Sequence, residues 1–220
     1  MADGLDIREL HTIDEMVAAS GVFEAVWGSP DGGMPPNLLR ALEHSGNYVV
    51  GVYDGDRMIA ASAAFFGPPA SRSMHSHVTG VLPDAQARGI GRALKAHQRE
   101  WAFAREVGTI TWTFDPLIAR NAHFNLAVLG ARVTDYLVDH YGDMGDAINS
   151  GDESDRLHVA WHLASPVPTP DAAEVVATVA IPTDIEALRR TDPDAAARAR
   201  HEVRDAFRAQ LDAGLVVGGF

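Results

Sequence analysis

The 220-residue sequence contains no cysteine. Disulfide bonds, thiolate metal sites and a mechanism through a cysteine acyl-enzyme are therefore excluded. The sequence also lacks any run of about 18 consecutive apolar residues, the length that a membrane-spanning helix needs. The first residues, MADGLDIRELHTIDEM, show no basic segment followed by an apolar one. These absences predict a cytoplasmic protein whose chemistry uses groups other than thiols.

Positive charge is scarce, since 18 Lys and Arg residues stand against 30 Asp and Glu residues, a formal net charge of -12. This balance disfavours partners such as nucleic acids and anionic membranes. No H-E-x-x-H or EF-hand pattern occurs, so we expect no metal site. The sequence is 46% hydrophobic and 22% charged, which is typical of a globular protein with a buried core.

Strand and helix patterns follow one another through the first 164 residues. Strands are predicted over 5–10, 48–53, 57–66, 73–81, 109–114, 132–141 and 157–163, and helices over 13–27, 36–46, 90–107 and 119–129. The strands from 48 to 81 form an antiparallel meander, because Asp54-Gly55-Asp56 is a hairpin turn. A long polar loop, 142–156, precedes the last strand.

A proline-rich stretch, Ser165–Pro170, separates this body from a C-terminal appendage. Within the appendage we predict a strand at 174–181, a helix from Asp192-Pro193 to 213, and a strand at 215–220. This β-α-β segment has too few large apolar residues for a core of its own. We therefore expect two regions, residues 1–164 and a C-terminal extension, 165–220, that packs on the main sheet. Its last strand is a candidate for completing a neighbour's sheet in a homodimer.

The stretch 81–94, VLPDAQARGIGRAL, joins a predicted strand to a predicted helix. Backbone N–H groups at such a junction can bind an anion, and glycine lets a phosphate group approach them. For an isolated G-x-G, however, an ordinary turn is the favoured explanation. The stretch is not a Walker A loop, and the Rossmann pattern fails because Leu94 stands where Gly or Ala is needed.

The pattern V-x-P-x-x-Q-x-x-G-x-G, followed by an amphipathic helix, resembles the acyl-CoA signature of the GNAT superfamily of N-acetyltransferases. The element order fits this resemblance over roughly residues 5 to 163, and 121–131, NAHFNLAVLGA, resembles the second half of the family pattern. The run WTFDPLIARNAHFNLAVLGA is similar to a branch of the superfamily with a C-terminal extension. The implied fold is of the α/β (α+β) class, with a mixed, mostly antiparallel central sheet flanked by helices.

The resemblance also implies which residues hold acetyl-CoA or another acyl-CoA. The signature loop would bind the pyrophosphate through the backbone N–H groups of Gln86, Ala87, Arg88, Gly89, Ile90, Gly91 and Arg92. The Arg88 side chain would add positive charge there. The pantetheine arm would pair with backbone near Val81, where a strand splays from its neighbour and an N–H faces the thioester oxygen. Asn121 would contact the arm and Phe124 would flank it.

Acyl transfer to an amine needs a base, and imidazole titrates close to neutral pH. His75 and His77 alternate with Val81 along the signature strand, which predicts all three on one face. His75 occupies the position of the base in relatives that carry a carboxylate there, with His77 as the second candidate. The acid that the family places seven residues after the Asn is a tyrosine, but this sequence has Val128. The alternatives are Tyr141 or Tyr136, or departure of the thiolate without an acid.

The predicted function is transfer of an acetyl or other short acyl group from acyl-CoA to an amine. The acceptor is a small molecule or an exposed amino group, and attack is direct, in a ternary complex. Asp115 is a candidate anchor for a cationic acceptor. Because the family tyrosine is missing, a CoA-binding sensor or interaction module without catalysis is the alternative, and transfer to a hydroxyl group is also open.

Overall fold

The computed structural model describes residues 5–28, 33–145, 152–168 and 171–220. The chain forms two compact units, residues 1–110 and 111–220. Both contain mostly antiparallel strands flanked by helices, which confirms the predicted mixed α/β class. Within the described ranges, every helix is too short or too polar to cross a bilayer.

The first unit is built on four consecutive antiparallel strands. These are β1 (Leu5–Glu9), β2 (Tyr48–Asp54), β3 (Arg57–Phe66) and β4 (Ser73–Val81), each paired with the next. Three helices accompany them: α1 (Ile13–Trp27), α2 (Pro36–His44) and α3 (Ile90–Phe103). The predicted meander and the Thr12–Glu15 capping box of α1 are both present.

The strands of the first unit carry helices on both faces. Ala61 and Ala63 on β3 belong to a buried cluster with side chains of α1 and α2, including Phe23 and Leu39. Residues of the opposite parity face α3, as the contact between Ser76 and Lys95 shows. Small side chains on the first face let α1 approach the sheet closely.

The second unit contains most of β5 (Thr109–Phe114), with β7 (Arg156–His162) beside it and β6 (Arg132–Leu137) beyond, antiparallel to β7. A short helix, α4 (Ala119–Ala122), continues as a π-helical segment over His123–Val128. The helix predicted at 119–129 therefore exists, but its second half is wider than an α-helix. It ends at Gly130, whose φ is +72°.

The predicted β-α-β arrangement of the C-terminal extension is wrong in its two strands. Residues 175–181 and 215–220 are irregular, and α5 (Ile185–Thr191) and α6 (Pro193–Asp212) are the helices of the extension. Within the described ranges, the β-branched residues that suggested strands pair with no other strand, and Val176 is 74% exposed. We missed α5, although Asp184 caps it by accepting a hydrogen bond from the Ala187 N–H.

Helices α5 and α6 pack within the second unit. Ile185, Ala196 and Val203 share a buried cluster with Leu117 and Ile118, which follow β5. The boundary between residues 164 and 165 stays a prediction. Parts of the predicted 142–156 loop and of the 165–170 linker, namely residues 146–151 and 169–170, lie outside the described residues.

Candidate active site

The junction between β4 and α3 exposes backbone N–H groups at the start of a helix. After Val81 the chain forms a 3₁₀ turn, Pro83–Ala85, and then takes positive φ at Ala87 (62°) and Gly89 (76°). Gly89 is the N-cap of α3 and makes no side-chain cap hydrogen bond. The first-turn N–H groups of α3 are therefore available to an anionic ligand, aided by the helix dipole.

The two glycines keep the space in front of this helix end open. Apart from its chain neighbours and the backbone of its own helix, a Cβ atom built on Gly89 or on Gly91 would meet no described atom within 4 Å. A side chain at either position would therefore stand in the open space beside the loop and the first turn of α3. Glycine also suits the positive φ at position 89. The junction thus fits a ligand with a diphosphate group.

The side chains of the loop contact other parts of the first unit. Gln86 Nε2 donates to the Val81 carbonyl oxygen at 3.3 Å, while the Ile90 side chain is buried. The Arg88 guanidinium forms an ion pair of 2.8 Å with Asp54 at the end of β2. Arg92 is exposed at the start of α3. Arg88, which we expected at the phosphates, is thus engaged by a carboxylate.

A β-bulge in β4 changes which face its residues occupy. Ala63 pairs with Val78 but Ala64 pairs with Ser76, so His77 is an extra residue in the strand. The extra residue reverses the alternation. Val81 therefore projects from the face opposite to His75 and His77, and the predicted common face is wrong.

The two histidines form a ring cluster with Phe65. The Phe65 ring centroid lies 5.2 Å from that of His75 and 5.7 Å from that of His77, and the two imidazoles are 6.1 Å apart. His75 is half-buried and His77 is exposed. Partial desolvation nevertheless lowers the pKa of His77. An imidazole with a lowered pKa is neutral at pH 7 and can accept a proton.

In the second unit, Asn121 is exposed on α4 and Phe124 is half-buried in the π-helical segment. Asn125 is buried, and its Oδ1 accepts a hydrogen bond of 3.2 Å from Trp112 Nε1, so it supports the fold. Asn121 and Asn125 differ accordingly in exposure. Only Asn121 is accessible to a ligand.

The two candidate tyrosines have different surroundings. The Tyr141 hydroxyl lies 2.9 Å from Thr113 Oγ1 on β5, and the residue is 41% exposed. Tyr136 is buried, and its hydroxyl donates to Asp155 at 2.6 Å. Burial and this carboxylate raise the pKa of Tyr136 far above its ordinary value. Of the two tyrosines, Tyr141 therefore has the more accessible hydroxyl.

Asp115 is not available to a cationic substrate. Its buried carboxylate accepts hydrogen bonds from Arg189 Nη2 at 2.6 Å and Arg200 Nη2 at 3.1 Å. The same two arginines bind Asp152. Burial alone would raise the pKa of Asp115, but the two guanidinium groups outweigh it and hold the pKa below its usual range.

The sequence analysis did not single out two buried basic side chains. Lys95 lies inside the first unit next to β4, and Arg200 lies inside the second unit. The burial of Lys95 could have been predicted from its position next to Leu94, on the buried side of α3. In the described part of the chain, no three His, Asp or Glu side chains are grouped so that they could hold a metal ion.

The family model of the acetyltransferase (GNAT) family matches residues 13–124, and the chain belongs to this family. No curated protein matches the sequence. The ribosomal-protein-S18-alanine N-acetyltransferase of Escherichia coli has a similar fold, with a TM-score of 0.60 and 17% identity over 74% of this chain and 96% of that one.

Two further structures were solved with a ligand. The yncA protein of Salmonella typhimurium, solved with its cofactor acetyl-CoA, has a TM-score of 0.58 and 15% identity over 77% of this chain and 99% of that one. The PaiA N-acetyltransferase of Thermoplasma acidophilum, in complex with coenzyme A, has a TM-score of 0.53 and 12% identity over 72% of this chain and 98% of that one. At these identities the likeness shows the fold.

Proposed function

We propose that this protein transfers an acetyl or other short acyl group from acyl-CoA to an amine. The observation that carries the proposal is the open start of α3, where the glycines at 89 and 91 leave the backbone N–H groups accessible. Membership of the GNAT family supplies the reaction class. The loop from Gln86 to Arg92 binds the pyrophosphate of the co-substrate.

We assign each chemical step to a residue that the family resemblance indicates. When bound, acyl-CoA supplies an activated thioester carbonyl. His75 removes a proton from the acceptor amine, directly or through water, with His77 as the second candidate. A backbone N–H near Val81 stabilises the negative charge that develops on the carbonyl oxygen. Asn121 and Phe124 hold the pantetheine arm, and Tyr141 protonates the departing thiolate.

The acceptor is an amine of a small molecule or an exposed amino group of a protein. Among the similar structures is an enzyme named for the alanine of ribosomal protein S18. The net charge of -12 favours cationic acceptors over nucleic acids or anionic membranes. We also propose a cytoplasmic location and a homodimer as the candidate assembly.

One specific observation favours a second candidate, a CoA-binding sensor or interaction module without catalysis. Val128 stands at the position of the family's tyrosine acid. Release of the free thiol of CoA separates the two functions. Purified protein is mixed with acetyl-CoA and a panel of small amines and N-terminal peptides, with each amine omitted in turn.

Thiol release that depends on an acceptor supports the transferase and eliminates the sensor. Acetyl-CoA binding without turnover by any acceptor supports the sensor instead. Mass spectrometry of CoA species that co-purify with the protein identifies the acyl chain. If neither CoA binding nor thiol release occurs, both candidates fail.

A further inference from the structure

A buried lysine contacts the β4 bulge from the side of α3. Lys95 is 8% exposed and follows Gly91 by one helical turn. Its Nζ donates to Ser76 Oγ at 2.9 Å and to Gln98 Oε1 at 3.0 Å. Burial lowers the pKa of Lys95 to about 7. A buried amine is costly to desolvate, so its hydrogen bonds to β4 and α3 need an explanation.

Ser76 is the residue immediately before the extra residue of the bulge, His77. The bulge is held on the same face by a second polar side chain, since Ser62 Oγ donates to the Val78 carbonyl oxygen at 3.0 Å. Ser62 also lies 2.8 Å from Thr79 Oγ1. Polar contacts from α3 and β3 thus fix the backbone on both sides of His77. The candidate bases project from the opposite face of this segment.

We infer that Lys95 is a positioning residue for acyl transfer. By holding Ser76 it fixes the bulge, and the bulge sets the direction in which His75 and His77 project. Because Lys95 lies on α3, the contact ties the strand of the candidate bases to the helix whose start binds the pyrophosphate. The effect of Lys95 on acyl transfer rests on the proposed function. The positioning of the bulge rests on the hydrogen bonds alone.

Packing by itself does not account for an amine at this position. Leu94 and Ile90, which are also buried on α3, are apolar. A methionine has a chain of similar length and would fill the space without the cost of burying an amine. What the lysine adds is hydrogen bonding, which includes its bonds to Ser76 and Gln98.

Lys95→Met tests the inference, with Leu94→Ala as the matched control. Both variants change a buried side chain of α3, but Leu94→Ala opens a cavity and keeps the contact between Lys95 and Ser76. Hydrogen exchange of the amides of residues 76–79 reports the bulge directly. Lys95→Met should speed this exchange about tenfold more than Leu94→Ala does at matched stability.

Kinetics give the second readout. In Lys95→Met we expect kcat to fall about tenfold while the Kd for acetyl-CoA stays within about twofold. Ser76→Ala should have the same effect. In both Lys95→Met and the double variant Lys95→Met/Ser76→Ala, buried Gln98 Oε1 loses its lysine donor. The double variant also removes the Ser76 hydroxyl that Lys95→Met leaves without this donor, so stability should recover in part relative to Lys95→Met. The value of kcat should not recover, because the contact between α3 and the bulge is still missing.

Two results would overturn the inference. One is exchange at 76–79 in Lys95→Met that equals the control. The other is recovery of kcat together with stability in the double variant, which would assign Lys95 a purely structural role. Wild-type protein that turns over no acceptor contradicts the proposed function instead. In that case the exchange measurement still decides whether Lys95 positions the bulge.

Discussion

The guanidinium of Arg88 lies 2.8 Å from the carboxylate of Asp54, so a loop expected to bind phosphates is tied to the hairpin between β2 and β3. Both side chains are more than two-fifths exposed, and ion pairs of this kind are weak. The pair can therefore open when a phosphate group offers Arg88 a more strongly charged partner. We therefore expect Asp54 to compete with the co-substrate for Arg88.

Asp54→Asn should consequently lower the Kd for acetyl-CoA by about threefold or more, since it frees Arg88 and removes a negative charge. Arg88→Met should raise it and flatten its dependence on salt. Isothermal titration at two ionic strengths measures both effects. Asp56→Asn removes a carboxylate from the same hairpin without touching Arg88. Equal effects of Asp54→Asn and Asp56→Asn would mean that Arg88 does not act on the phosphates.

The helix start can be blocked without disturbing the fold. Gly91→Val places a branched side chain beside the loop, where a Cβ atom meets no described atom within 4 Å beyond its chain neighbours and the backbone of α3. The affinity for acetyl-CoA should fall at least about tenfold, which corresponds to about 1.4 kcal/mol. Thermal stability should be kept, because valine has a higher helix propensity than glycine. Gly91 is the better position for this substitution, because the φ of 76° at Gly89 would strain the backbone of any other residue.

Gly21→Val is the matched control for Gly91→Val. Gly21 lies within α1, and a Cβ there also meets no atom within 4 Å. Gly21→Val should change neither the affinity for acetyl-CoA nor the melting temperature appreciably. Unaltered affinity in Gly91→Val would remove the pyrophosphate site from this loop.

The strands β4 and β5 and the start of α3, which supply the candidate CoA-binding residues, could be predicted from local sequence. The bounds of β4 and β5 follow from runs of β-branched and aromatic residues, and the start of α3 follows from its glycines and apolar stripe. The bulge at His77 could not be predicted, because an extra residue is defined only by the register with β3. One undetected residue was enough to place Val81 on the wrong face.

The other errors also concern interactions between distant residues. The segments 174–181 and 215–220 have the composition of strands, but a strand needs a partner that local sequence does not reveal. Lysine and arginine are seldom buried, so neither Lys95 nor Arg200 was singled out. Arg200 reaches Asp115 across 85 positions of sequence. Pairings of that separation leave no periodic signal.

Two histidine variants should identify the base. His75→Ala should lower kcat by about 10²- to 10⁴-fold, the usual contribution of a general base, with the Kd for acetyl-CoA little changed. His77→Ala should have a smaller effect. In the pH dependence of kcat, protonation of the base causes the fall on the acid side. That fall should disappear in His75→Ala and persist in His77→Ala. The reverse result would make His77 the base, with a pKa below the ordinary imidazole value.

Two tyrosine variants separate catalysis from stability. Tyr141→Phe should lower kcat about 10²-fold if its hydroxyl protonates the thiolate, and should leave stability nearly unchanged. Tyr136→Phe removes a hydroxyl that donates to the buried Asp155. It should cost about 1.5 to 3 kcal/mol in urea unfolding, with kcat retained. If Tyr141→Phe keeps full activity, the thiolate leaves without help from this residue.

The stability of the second unit should depend strongly on the buried ion pairs that Arg200 forms. This side chain is 1% exposed and donates to both Asp115 and Asp152, so Arg200→Met leaves two buried carboxylates with Arg189 as their common partner. Removing one member of a buried ionic network costs about 3 to 5 kcal/mol. Arg198→Met changes an exposed arginine of the same helix and should cost little. Urea unfolding at pH 7 compares the two variants.

The effect of Arg200→Met on stability should also depend on pH. Arg200 and Arg189 hold the folded-state pKa of Asp115 below its ordinary value of 3.8. The stability that the ionised carboxylate contributes is present above pH 3.8 and is lost as the pH falls through the lower folded-state value. The difference in unfolding free energy between wild type and Arg200→Met should therefore be largest near neutral pH and shrink below about pH 4. A difference that stays constant down to pH 2 would mean that Arg200 stabilises the second unit by packing rather than by its charge.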